Sequence, residues 1–150
     1  LDFAYKLPAK LVSFIGRIIN KYFKAIGDKN PDFEKASRQF LTKNAEEFNK
    51  SVKDSEKVYY QSYTTVMSRA HSDYILFFPY LIGRFFTRQS DGLVAPDSAK
   101  WGDFKGIIKS KGTRGISHGD IIDLRRNDYK GFDVREFYVK LVAGLKEKGF

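Results

Sequence analysis

Residues 90–120 read SDGLVAPDSAKWGDFKGIIKSKGTRGISHGD, and the parsing of this stretch decides the fold. It opens on Ser90-Asp91-Gly92, a turn signal: Asp hydrogen-bonds to backbone that follows it, and Gly accepts conformations closed to other residues. Residues 103–109 alternate around Phe104 and Ile107, the period of two expected of a strand. A polar run through Arg114 then leads into Gly115-Ile116-Ser117-His118-Gly119-Asp120, a glycine-flanked loop directly after that strand. An aspartate and a histidine thus both stand at element ends, where a rigid scaffold tends to display reactive side chains.

Outward from this stretch, residues 57–65 are rich in β-formers (Val58, Tyr59, Tyr60, Tyr63) and read as a second strand. Ser72-Asp73 starts a strongly apolar helix over 72–84, in which Pro79 is expected to cause a kink or a split. A C-terminal helix is expected over 131–148, capped by Asp133, with Val134, Phe137, Tyr138, Leu141, Val142 and Leu145 facing inward. At the other end, apolar residues recur at spacings of three and four over 7–26, with Lys10, Arg17, Lys21 and Lys24 on the remaining arc and Gly27 closing the helix. Asn30 and Pro31 fit the N-cap and first position of a second helix reaching Leu41. Thr42 caps a short third one, with Ala45, Phe48 and Val52 on one face. About five helices and two strands make a mixed α/β chain. An isolated strand pair is marginal in water, so the pattern reads as part of a larger layered structure.

At 150 residues the length suits one domain, and 16% aromatic residues argue against disorder. Without cysteine there is neither a disulfide framework nor a thiolate metal site. The compartment stays open, a secreted location included. A net charge of +9 invites nucleic acid or an anionic membrane, but Lys and Arg are interleaved with Asp and Glu, which is the pattern of a solvated basic surface. No nucleic-acid recognition motif accompanies the charge. The longest uncharged apolar stretch, 74–83, contains Pro79 and falls well short of the roughly 20 residues that span a bilayer. The chain does not begin with Met, and Leu1 is read as not being the start of translation.

With only His71 and His118 available, the search for a catalytic base is short. A carboxylate that accepts from histidine Nδ1 fixes the tautomer and stabilises the imidazolium formed during acyl transfer. Asp91 and His118 follow one another in the order that α/β-hydrolases use after their serine, although structural Asp and His residues on loops are common. Gly115-Ile116-Ser117-His118-Gly119 also matches the G-x-S-x-G pattern of a nucleophile elbow. The elbow needs a hydrophobic strand before it, and here a polar run precedes it, so the match at Ser117 reads as accidental.

Ser90-Asp91-Gly92-Leu93-Val94 followed by Ser98 resembles the Asn-Asp-Gly-Leu-Val segment that carries the acid in bacterial triacylglycerol lipases of the α/β-hydrolase superfamily. His118-Gly119-Asp120 is similar to their His-x-Asp segment, and the strand around Tyr59-Tyr60, the Phe48-Asn49 pair and the final helix fit in order. The resemblance implies the C-terminal portion of an α/β-hydrolase fold, with a helical lid or cap over 1–56 and the acid and histidine loops in a core part over 57–150. It implies that His118 is the general base and Asp91 orients it, acting on a lipid ester. It also implies a structural Ca²⁺ near the histidine loop with Asp120 as ligand and Asp73 as a second, although Leu124 stands where an amide ligand is common. The alternative there is that Asp120 caps its own helix or pairs with Arg125 or Arg126. The serine elbow and oxyanion loop of such enzymes belong to an N-terminal half, so this part alone is expected to be inactive. The 7–26 helix has the broad apolar face and basic flanks of an interfacial lid, while core packing is the plainer role for it. The reading from a different class is a non-catalytic basic module that binds anionic membranes through that helix.

Overall fold

The computed structural model describes residues 6–126, 129 and 131–150. Two units divide the chain, Leu1–Tyr59 and Tyr60–Phe150; the sequence reading divides it at 56/57, and residues 1–5 of its first region lie outside the described residues.

The first unit is helical: α1 (Ala9–Ala25), α2 (Phe33–Arg38) and α3 (Thr42–Ser51). Helix α1 follows the expected periodicity and contacts α2, with Asn20 Oδ1 accepting from the Phe33 amide at 2.8 Å. The cap of α2 is Asp32, whose carboxylate accepts from Lys35 N at 2.9 Å, instead of the expected Asn30, whose own amide donates to Asp28. Only Gly16 of α1 is buried. Leu11, Phe14, Ile15, Ile18, Tyr22, Phe23 and Ile26 remain exposed.

In the second unit β1 (Gln61–Thr64) pairs in parallel with β2 (Asp103–Ile107), in the register Gln61↔Asp103, Ser62↔Phe104 and Thr64↔Ile107, with a bulge between the last two pairs. Between the strands come a 3-10 turn (Ala70–Ser72), helix α4 (Phe77–Phe86) and a second 3-10 turn (Pro96–Ala99); after β2 come the short α5 (His118–Ile121) and α6 (Val134–Glu147). The unit is mixed α/β, helix-rich, with two parallel strands. Strand β1 is shorter than the expected 57–65 because β2 supplies a ladder over only a few residues. Helix α4 starts five residues later than expected. The Asp73 carboxylate accepts from the amides of Ile75 and Leu76 at 3.0 and 3.2 Å, and this local alternative competes with helix formation. The late start puts Pro79 in the first turn, where a missing N–H costs nothing, and the helix runs unbroken through it. Helix α6 begins behind Asp133 as expected, its carboxylate accepting from Arg135 N and Glu136 N. Its Phe137 meets Tyr63 of β1 edge-on at 5.4 Å.

The small core centres on Met67, Tyr80, Ile116 and Val134. The Tyr80 hydroxyl donates to the Met67 carbonyl at 3.3 Å, tying α4 to the segment that leaves β1. Two glycines permit the close packing there. Gly115 (φ +75°) bridges Met67, and a methyl on it would lie 2.3 Å from the Val66 oxygen. Gly92 (φ +109°) follows Asp91, and a methyl there would lie 2.9 Å from Leu76 Cβ. Both conformations are unfavourable for an L side chain and both spaces are filled.

Gly115→Ala is therefore predicted to destabilise the fold by about 2 kcal/mol or more. Thermal denaturation followed by circular dichroism checks this, and an unchanged midpoint would show that the loop crossing is not as tight as described.

Candidate functional site

Three segments distant in sequence are laced together beside the strand ends. The amide of Met67 donates to the Ser90 oxygen at 2.9 Å, that of Ser68 to Arg114 O at 3.0 Å, and that of Ile116 to Val66 O at 2.9 Å. The Ser72 hydroxyl adds a bond to the same Arg114 oxygen at 2.6 Å. The chain leaving β1 thus serves as a common template for the two loops. They are also joined directly, as His118 N donates to Asp91 O at 2.8 Å.

On this backbone the two carboxylate oxygens of Asp91 are divided between two tasks. Oδ1 accepts from Leu93 N and Val94 N at 3.0 and 2.8 Å, folding the turn and fixing the side chain within it. Oδ2 lies 2.8 Å from Nδ1 of His118. A carboxylate can only accept, so Nδ1 carries the proton and Nε2 is left with its lone pair. The Asp91 side chain is 7% exposed and that of His118 38%: the acid is covered and the ring reaches solvent. Among the described residues Nε2 has no hydrogen-bond partner. The bond to Asp91 raises the His118 pKa above its ordinary 6.5; partial burial opposes this, and the charge of Asp91 adds to the rise. Chemically this is a base oriented and strengthened from behind, with its free nitrogen available in front.

The sequence-identified residues divide into two groups. Asp91 and His118 meet, whereas Asp73 and Asp120 belong to a second cluster built around Ser117. Ser117 caps α5, accepting from Asp120 N at 3.1 Å, while its own amide donates to Asp120 Oδ2 at 2.7 Å, a reciprocal capping box. Its hydroxyl donates to Asp73 Oδ2 at 2.8 Å, and the residue is fully buried. Ser117 is a structural cap, which explains why its match to the nucleophile pattern is accidental. Asp120 also pairs with Arg114 at 2.5 Å, whose guanidinium lies over the Tyr129 ring at 4.3 Å. Asp73 pairs with Arg125. Burial pushes the Asp73 carboxyl up, but the bonds from Ser117, Arg125 and the Leu76 amide outweigh it and hold the group below its ordinary 3.8. The stabilisation that follows is present above that value and is lost as pH falls through the lower folded value.

Calcium takes six to eight oxygens at close range. The cluster as arranged does not fit that requirement. Both Asp120 oxygens face Arg114, and both Asp73 oxygens are taken by Arg125, Ser117 and backbone amides. Among the described residues no group of three or more His, Cys, Asp or Glu side chains converges. Asp120 takes part in the cap of its own helix, one of the alternatives the sequence offers. Its ion-pair partner is Arg114 and not the expected Arg125 or Arg126, and Arg125 pairs with Asp73 instead. Sequence reading missed Ser117 as the cap. The capping box could have been found from its Ser-x-x-Asp spacing and Arg114 from its place six residues before Asp120, but the Asp73–Arg125 pair, formed across 52 residues, leaves no local signal. His71 is exposed in the first 3-10 turn and takes no part.

Replacing Asp91 by Asn is predicted to lower the His118 pKa, because both the accepting oxygen's charge and the bond it stabilises are lost. His118 titrates higher when folded, so its contribution to stability is full below about 6.5 and fades as pH rises through the folded value; Asp91→Asn should flatten that dependence. Histidine Cε1–H resonances followed against pH check the shift, and an unaltered pKa in the variant would contradict the pairing. No protein-family model, curated protein or solved structure matches this chain, so the site is characterised by its own geometry.

Proposed function

We propose that this chain is the C-terminal part of a lipase-like carboxylic ester hydrolase of the α/β-hydrolase fold, supplying the acid and the base of a Ser-His-Asp triad. The observation that carries the reading is the 2.8 Å contact between a covered Asp91 carboxylate and a half-covered His118 ring whose second nitrogen is unpartnered among the described residues. In the proposed reaction Nε2 takes the proton from a serine hydroxyl as its oxygen attacks the ester carbonyl. The imidazolium so formed is stabilised by Asp91, and the proton passes to the departing alcohol. Water repeats the cycle on the acyl-enzyme.

Ser117 is buried and committed to its cap, so the nucleophile is assigned to a further segment that completes the sheet. The surface of the unit supports that assignment. Parallel sheets are ordinarily covered on both faces, yet β2 exposes Ile107, and Ile75, Phe78, Leu81 and Phe85 in and before α4 and Val139 and Val142 of α6 are exposed as well. An apolar surface of this extent suits contact with additional chain more than contact with water. Without nucleophile and oxyanion donors the 150-residue chain is expected to be inactive alone.

One observation favours a second reading, in which the chain is a non-catalytic module that binds anionic membranes. Helix α1 and its C-cap expose Phe14, Ile18, Tyr22 and Ile26, while the charges of the helix are Lys10, Arg17, Lys21 and Lys24, all basic. That pairing suits a helix lying in an anionic lipid interface. Among the described residues no helix is long and apolar enough to cross a membrane.

A chromogenic ester distinguishes the two. The chain alone should give no turnover, and the chain joined to the serine-bearing segment should hydrolyse the ester. In that joined enzyme His118→Ala and Asp91→Asn should each reduce kcat by about 10³-fold or more. Activity should rise with pH through a value above 6.5, since the base works in its neutral form. No activity in the joined enzyme, together with co-sedimentation on anionic vesicles that survives His118→Ala, would replace the hydrolase reading with the membrane one.

A further inference from the structure

The cluster around Ser117 has a role that the Asp91–His118 pair does not explain. Asp73 comes from the segment after β1, and Asp120 comes from α5, two residues beyond His118. Two largely buried carboxylates meet at Ser117, Asp73 accepting from its hydroxyl and Asp120 from its backbone amide, and they need positive charge nearby, because burying them uncompensated is costly. That charge arrives from two directions. Arg114 stands before the histidine loop and holds Asp120 through both guanidinium nitrogens, at 2.5 and 3.2 Å. Arg125 stands after it and reaches Asp73, whose side chain is 1% exposed. Two negative and two positive groups balance, and every Asp73 and Asp120 oxygen has a partner.

We propose that Arg114 and Arg125 do here the work that a bound divalent cation would otherwise do, each neutralising and fixing one of the two carboxylates that meet at Ser117, so that the histidine loop keeps its register without metal. The planar guanidinium suits this task, since it grips a carboxylate with two parallel donors and fixes direction as well as charge. Arg125 closes the loop behind His118 and Arg114 closes it in front. Both are positioning residues, touching neither Nε2 nor anything that would react there. The carboxylates that would attract calcium are already neutralised by side chains of the same chain, so a cation would have to displace a guanidinium to enter. The inference holds whether or not the chain is a hydrolase, and its test makes no use of ester turnover.

The test is amide hydrogen exchange of the full chain in EDTA and in millimolar calcium, read at Ile116 and His118, whose amides donate across the loop to Val66 and Asp91. Exchange in the parent is expected to be the same in both solutions. Arg125→Met should speed both amides by about tenfold or more while amides within α6 keep their parent rates, and Arg125→Lys should restore part of the protection. Calorimetric titration of the parent with calcium should give no heat of binding. Slower exchange in calcium than in EDTA, or calcium binding that Asp73→Asn or Asp120→Asn abolishes, would overturn the proposal. So would an Arg125→Met chain with unchanged loop amides. Should Arg125→Met fail to fold, the parent calorimetry and the Arg125→Lys exchange decide in the same way.

Discussion

Two loops, one after α4 and one after β2, are joined twice at the same point: backbone to backbone, from His118 N to Asp91 O, and side chain to side chain, from Nδ1 to Oδ2, both at 2.8 Å. The double connection fixes position and direction together. A backbone bond alone would leave the ring free to rotate, and a side-chain bond alone would let the loops slide. Several contacts of the second unit maintain this juncture. The segment leaving β1 hydrogen-bonds to both loops, Tyr80 ties α4 to that segment, and Gly115 permits the close crossing.

The division of labour between the two oxygens of Asp91 is the local counterpart of that arrangement. One oxygen builds the turn that holds the carboxylate still and the other meets the imidazole. An acid fixed by its own backbone loses little freedom when it binds the ring, so more of the bond's strength appears as orientation. Beneath it the Ser117 capping box starts α5 with His118 as its first residue, and the Asp73 and Asp120 ion pairs anchor that start to the rest of the unit. The histidine is thus held from behind by Asp91 and from below by its own helix.

The sequence carried part of this openly. The periodicity over 7–26 and the Asp133 cap read correctly because helical spacing and capping are local properties. Asp91 and His118 stood out through their turn and glycine-flanked settings and through the resemblance of those settings to lipase segments; their spacing alone did not pair them. The misread boundaries have physical causes. The carboxylate of Asp73 turned the chain where apolar periodicity promised helix, and moved the start of α4 to Phe77. Strand β1 began later than its pattern suggested because strand length depends on its partner, which the local pattern does not contain. The pairing of Asp73 with Arg125 was not legible, since a bond across 52 residues depends on the folded chain.

Whether Asp91 orients the His118 ring is read from the tautomer of that ring. Nitrogen-15 NMR of the ring at a pH above its titration distinguishes a proton on Nδ1 from one on Nε2. The proton is expected on Nδ1, directed at Asp91, with a bare Nε2 able to act as a base. A proton residing on Nε2, or an even mixture of the two tautomers, would mean that Asp91 does not orient the ring, and the catalytic reading would fail with it.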